Sequence, residues 1–309
     1  MSKNDKICIV FVSNKPYIEK FIKTCKLLIS NGEYKGDICL LYGNDLKDTI
    51  NDYLFIKENK IITKYFEDLI FPEKFYETKK NMKNRRSCNT KLFQYHKLHL
   101  FNVYFKKWDY IFYMDSTMRI YRDVEPLIEC KTPNKLVAHS DTYPDYKWKL
   151  KSQFIKNIEK YNTNCDYFQS GIMIYDTNII NETTFNDLYN LSIEYDFAKN
   201  NDQSILALYF ICEKNIWEKI PIKKGELYLY DSIPRNRDYD YVMLSHWIIH
   251  FGYKIPPFTP TSELIKDIDH NNFTYQKVQK RGKHNWYRVF NKDEGHFWYC
   301  KDTGESSWN

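Results

Sequence analysis

A doubly wound α/β fold with a mostly parallel sheet, followed by a small C-terminal β unit, is predicted by three features of the sequence. The chain opens strand–helix–strand: the near-continuous apolar run Ile7–Ser13 (ICIVFVS), a helical stretch, then Asp37–Tyr42 (DICLLY). Runs of that kind suit strands buried on both faces of a parallel sheet. Further apolar strands, Tyr110–Met114 (YIFYM) and Phe168–Tyr175 (FQSGIMIY), recur between helical stretches, as a strand–helix alternation requires. Past Gly252 the composition changes, with Pro256, Pro257 and Pro260 marking a linker ahead of an aromatic, glycine-punctuated tail.

The elements follow in order. Pro16 starts the first helix, and Ile18, Phe21, Ile22, Cys25, Leu28 and Ile29 recur at helical spacing, with Gly32 and Gly36 punctuating the turn after it. Residues 60–66 read as a third strand and 71–88 as an irregular, charged loop. Asn89 or Thr90 caps a helix expected to run to about Lys106. A strand over 135–139 ends near Asp141, residues 148–160 read as helix, and 181–198 and 202–213 as two more. A strand over 241–249 leads to His250. There are no internal repeats. The expected organisation is an α/β domain over 1–255, a linker over 256–283 and a β module over 284–309.

Composition bounds the function. In 309 residues, 43% are hydrophobic and 17% aromatic, enough for a substantial core. A net charge of +6 is too mild to imply nucleic-acid binding, and suits an anionic small ligand. The basic run Lys79–Arg86 (KKNMKNRR) reads as a solvated loop or as a basic lid over a diphosphate. Eight cysteines form no CxxC pair and no zinc spacing, so they read as thiols of a reducing compartment. The N-terminus lacks a cleavage-site pattern, and no stretch approaches the ~18 apolar residues of a membrane helix. The expectation is a cytoplasmic protein.

The chemistry begins at Asp115, directly after YIFYM. A carboxylate at the carboxyl end of a central strand can hold a divalent cation against a phosphate; it can equally form a turn. Around it, Asn89–Leu127 resembles the glycogenin and lipopolysaccharide-galactosyltransferase group of Rossmann-like GT-A glycosyltransferases. Lys97-Leu98-His99 matches that group's Lys-Leu-His, and Asp115 the first aspartate of its Asp-x-Asp. Ala138–Asp141, Asp166–Tyr175, Asn201–Leu206 and His250–Pro256 match four further motifs in family order, the last shortened by a residue or two.

The resemblance implies a glycosyltransferase that takes a sugar from a nucleotide-sugar donor to a glycan or protein acceptor with retention of configuration. It implies Mn²⁺ or Mg²⁺ held by Asp115 and His250, and lysines Lys97 and Lys254 neutralising the diphosphate, which Gly252 also clasps. Asp141, Gln169 and Asp202 would orient the donor sugar, with Gln203 nearest the anomeric carbon. Phe11, Val12 and Ser13 would receive the base. The sequence departs from the pattern at Thr117, which replaces the second aspartate and weakens a metal site, and at Gln169, which replaces an asparagine. Other readings of the same residues are local: Asp202 as a helix cap, and Gly171 as a strand bulge. His246 and His250 lack the glutamate of a zinc-protease motif.

The tail resembles a WW domain: Trp286 and Trp308 stand 22 residues apart, with Gly295–Cys300 and Thr303–Trp308 matching its second and third strands. That resemblance implies a proline-rich peptide on Tyr299 and Trp308; the family's closing proline is missing. Alternatively the tail is a hairpin packed on the main domain. Two other functions compete. One is a transferase fold that has lost activity and serves as a scaffold, which Thr117 would favour. The other is a nucleotide enzyme of another kind, but the first strand runs into FVSNKPY, with neither the Gly-rich loop of a nucleotidyltransferase nor the GxGxxG of a dehydrogenase.

Overall fold

The computed structural model describes residues 5–82, 89–120, 123–142, 148–221, 223–224, 227–230, 241–244, 278–281, 284–291, 295–300 and 306–307. The chain divides into two compact units. The first comprises Met1–Ile22, Gly36–Ser116 and Ile128–Ile220; the second Lys23–Lys35, Thr117–Leu127 and Pro221–Asn309.

The described elements run β1 (Ile7–Ser13), α1 (Ile18–Ser30), β2 (Asp37–Tyr42), α2 (Leu54–Glu58), β3 (Ile62–Tyr65), α3 (Glu73–Asn81), β4 (Tyr110–Met114), β5 (Arg119–Ile120) and α4 (Glu125–Ile128). Then come β6 (Leu136–Ser140), β7 (Phe168–Asp176), α5 (Thr184–Glu194), α6 (Asp202–Ala207), which continues as a π-helix over Leu208–Glu213, and β8 (Trp217–Lys219). The remaining strands are β9 (Lys223–Lys224), β10 (Leu227–Tyr230), β11 (Tyr241–Leu244), β12 (Val278–Arg281), β13 (His284–Asn291), β14 (Gly295–Cys300) and β15 (Ser306–Ser307).

The first unit is built on a seven-stranded sheet in the order β3-β2-β1-β4-β7-β6-β8. Strands β3, β2, β1 and β4 are parallel, β7 runs antiparallel to both β4 and β6, and β6 and β8 are parallel. This is the predicted α/β class with a mostly parallel sheet. The apolar runs explain it: every residue of β4 and of β7 is buried, as central strands covered on both faces must be. Where β6 pairs with β7, Ala138 stands opposite Met173 but Ser140 opposite Phe168, so the extra residues of β7 around Gly171 bulge.

In the second unit, Thr24 on α1 donates to the Met118 carbonyl at 2.9 Å and Asn31 to that of Ile120 at 3.0 Å. The unit holds a sheet β5-β11-β10-β9 and an antiparallel meander β12-β13-β14-β15. Strand β12 falls inside the stretch expected to be linker and pairs with β13. No helix among the described residues is long and apolar enough to cross a membrane.

Three expectations need correction. Residues 73–81 of the supposed charged loop are α3, whose Phe75 and Lys79, one turn apart, face inward while its other charges face out. Lys79 therefore belongs neither to a solvated loop nor to a lid: it is wholly buried and donates to the Ala198 carbonyl at 2.7 Å. The rest of that basic run, from Lys83, lies outside the described residues. Within 148–160 only Leu150–Gln153 is helical, as a 3-10 turn. The backbone there bonds sideways instead: Leu150 to Cys165 and Lys151 to Thr163, both at 2.9 Å. Residues 89–106 form two 3-10 stretches, Asn89–Phe101 and Val103–Lys107, separated at Asn102, whose side chain accepts from the Tyr104 amide.

Candidate active site

The topology gathers functional groups at one edge of the seven-stranded sheet. Asp115 follows the carboxyl end of β4 and Asp141 that of β6. Because β7 runs the other way between them, its first residues, Phe168–Ser170, lie at the same edge. The bulge frees Gln169 and Ser170 from regular pairing, and the Asp115 amide donates to the Gly171 carbonyl at 2.9 Å. Carboxyl ends of strands are where open α/β sheets bind ligands.

Lys97, on the 3-10 stretch Asn89–Phe101, reaches into this edge. Its Nζ lies 3.0 Å from Asp115 Oδ1 and 3.1 Å from Asp202 Oδ2. Ser170 Oγ donates to the same Asp202 oxygen at 2.9 Å. Gln203 is tied on both sides: its Oε1 accepts from the Ser170 amide at 3.2 Å, and its Nε2 donates to Asp141 Oδ2 at 3.1 Å. Five positions singled out from sequence, Lys97, Asp115, Asp141, Asp202 and Gln203, thus form one connected network. Gln169 is buried beside it in β7.

The electrostatics follow from burial. Desolvation pulls Lys97 down, but the Asp115 and Asp202 carboxylates outweigh it and hold the ammonium above its ordinary range. Asp202, only 3% exposed, has its carboxyl pushed up by burial and by Asp115, with Lys97 and Ser170 opposing. Among the described residues, one cation between two carboxylates leaves the cluster short of positive charge.

Other groups had no role assigned from sequence. Tyr113 donates to Asp115 Oδ1 at 2.5 Å; it stands two residues before Asp115, on the same side of the strand, a period-2 signal that was available. Asp166 fixes the turn at Asp141 by accepting from Ser140, Thr142 at 2.6 Å and the Tyr167 amide, and by pairing with Lys219 at 2.6 Å. Burial raises the Asp166 carboxyl, but these donors, Lys219 first, carry it below its ordinary value.

The remaining predicted residues fall as follows. Phe11 is wholly buried edge-on against Phe21, with ring centroids 5.2 Å apart, so its ring has no surface to offer a base. The Val12 carbonyl accepts from Ser116 Oγ at 2.8 Å, and Ser13 is buried. Thr117 is half-buried in the turn after Asp115. His250, Gly252, Lys254 and Trp308 lie outside the described residues, as does the side chain of Tyr299, whose backbone is in β14.

A family model described as glycosyl transferase family 8 matches residues 8–253. The chain belongs to that family and is a glycosyltransferase. Two solved structures of the galactosyltransferase LgtC are similar to it, and the first of them shares its fold. An active-site mutant has a TM-score of 0.50 at 15% identity, covering 72% of this chain and 75% of that one. The complex with donor and acceptor sugar analogues gives 0.48 at 16%, with the same coverage. Core-mannan synthase A from Aspergillus fumigatus, in its Mn/GDP form, gives 0.44 at 13%, covering 74% and 76%. No curated protein sequence matches the chain.

Proposed function

We propose that this glycosyltransferase draws its sugar from a nucleotide-diphosphate donor seated over the Lys97–Asp115–Asp202 cluster and passes it, with retention, to a glycan or protein acceptor. The observation that carries the reading is the Lys97 ammonium, 3.0 Å from Asp115 and 3.1 Å from Asp202, at the carboxyl edge of the sheet. As the sugar–phosphate bond breaks, negative charge grows on the departing diphosphate. A part-buried cation kept charged by its neighbours stabilises that charge more than it stabilises the intact donor. Asp202 and Asp141 would accept from the sugar hydroxyls. Gln203, its amide fixed between Ser170 and Asp141, would face the reacting carbon. With the Phe11 ring buried, the base would rest on the backbone of Val12 and Ser13.

The family also implies a divalent cation, and the described residues do not complete a site for one. Among them no three His, Cys, Asp or Glu stand close enough to share an ion. Asp115 Oδ1 is engaged by Lys97 and Tyr113, and a threonine replaces the second carboxylate. Our reading therefore gives the neutralising role to Lys97, with Mn²⁺ on Asp115 and His250 as an aid. The C-terminal meander we read as a separate WW-like module, its proposed proline-rich ligand meeting Tyr299 and Trp308. Cys8, Cys25, Cys39, Cys130, Cys165 and Cys212 are free thiols, which suits a reducing compartment.

A thermal-shift screen of nucleotide sugars, with and without Mn²⁺, tests the reading. A bound donor stabilises the fold by mass action, about 2.7 kcal/mol at a hundredfold excess over Kd. At least one donor should raise Tm, and should do so without metal as well. If no donor raises it in either condition, the inactive scaffold becomes the better account.

A further inference from the structure

We infer that Gln94 and Asn201 form a positioning pair that aims Asp202 and Gln203 into the cleft. Asn201 has φ 46° and ψ −118°, a backbone state that side-chain-bearing residues rarely adopt. It is 1% exposed and immediately precedes Asp202, the first residue of α6. Such a conformation persists only where the surroundings impose it. The restraint is visible: Asn201 Nδ2 donates to Gln94 Oε1 at 2.8 Å.

Gln94 stands three residues before Lys97 in a 3-10 stretch, and in that helix residues three apart eclipse one another. The same face of one element therefore grips two consecutive residues of another. Gln94 holds Asn201 by a neutral hydrogen bond, and Lys97 holds Asp202 by charge. Neighbouring ties fix the same corner: Asn200 Nδ2 donates to Gln153 Oε1, the Gln203 amide donates to the Asn200 carbonyl at 3.1 Å, and Lys79 anchors Ala198 at 2.7 Å. Without the Gln94 acceptor, residue 201 loses a side-chain contact that opposes relaxation to negative φ. That relaxation rotates the start of α6 and swings Asp202 away from Lys97. Gln94 and Asn201 take a positioning role, acting through Asp202 and Gln203.

The activity arm of the test rests on the transferase reading above; the structural arm does not. In Gln94→Ala, kcat for sugar transfer should fall at least tenfold with the donor KM within a factor of two or three, and Tm nearly unchanged. Gln94→Glu, which keeps an acceptor for Asn201, should recover most of the lost kcat. A crystal structure of Gln94→Ala should show residue 201 at negative φ and the Lys97–Asp202 pair broken. Unchanged φ and an intact pair in that crystal would overturn the inference, as would a kcat within twofold of wild type. A wild-type protein inert with every donor would sink the transferase reading alone, leaving the crystal structure to decide this one.

Discussion

At Asp202 a helix-cap role and a donor-holding role make different demands on one side chain. A cap accepts from backbone amides two or three residues on. Here Asn201 occupies the cap position without a side-chain cap bond, and Asp202 Oδ2 takes Ser170 Oγ and Lys97 Nζ instead. Removing the carboxylate leaves Lys97 paired with Asp115, so no buried charge is stranded. Asp202→Ala should therefore cost about 1–3 kcal/mol of stability, the scale of removing one partner of a buried hydrogen bond. Turnover should fall by about two orders of magnitude or more, as expected when a positioning contact is lost. Tm and transfer rate measured on the same variant decide it: early melting with wild-type turnover would make Asp202 structural. The residues of this network stood out in the sequence through motif order. Gln94 did not, and Ser170 and Asn201, though inside matched motifs, drew no role of their own, because hydrogen bonds between polar residues far apart in the chain leave no periodic trace.

Helix α3 and the 3-10 stretch Asn89–Phe101 mark where reading by element falls short. Nine residues of EKFYETKKN carry too few apolar positions to show a helical stripe, and one buried position is a lysine. The run 148–160 reads as helix, but the Leu150 and Lys151 amides go to Cys165 and Thr163 and the Ile155 amide to Phe197. The 3-10 stretch holds a histidine pair with a measurable consequence. His99 is stacked between Phe66 and Phe185, with centroids 4.5 and 4.6 Å away, and His96 packs edge-on against it at 4.7 Å. Burial drives both imidazoles down, to about 3 for His99, where His96 adds to the effect, and about 4 for His96. In the unfolded chain both bind protons near pH 6.5. Below that the unfolded state holds more protons, so stability is complete above about pH 6.5 and is lost as pH falls toward 4. His99→Phe, which keeps the stack but cannot charge, should flatten the fall of Tm between pH 6.5 and 4. An acid limb as steep as wild type would place the titrating group elsewhere.

At the scale of the molecule, the α/β class was legible because strands buried on both faces leave long apolar runs in the sequence. The direction of β7 was not, since an antiparallel insertion uses the same apolar residues as a parallel one. Yet that reversal brings Ser170 to the edge where β4 and β6 deliver Asp115 and Asp141. The tail's aromatic strands could be read from sequence, whereas β12 was hidden in residues taken for linker. The central claim is that this sheet edge is a donor site whose neutralising charge is Lys97. Calorimetric titration of a nucleoside diphosphate into wild type and Lys97→Met, each with Mn²⁺ and with chelator, tests it most directly. Wild type should bind in both conditions, Mn²⁺ tightening binding by less than about tenfold, or 1.4 kcal/mol. Lys97→Met should lose most of its affinity in either. Equal affinity of the two proteins with chelator present would contradict the account.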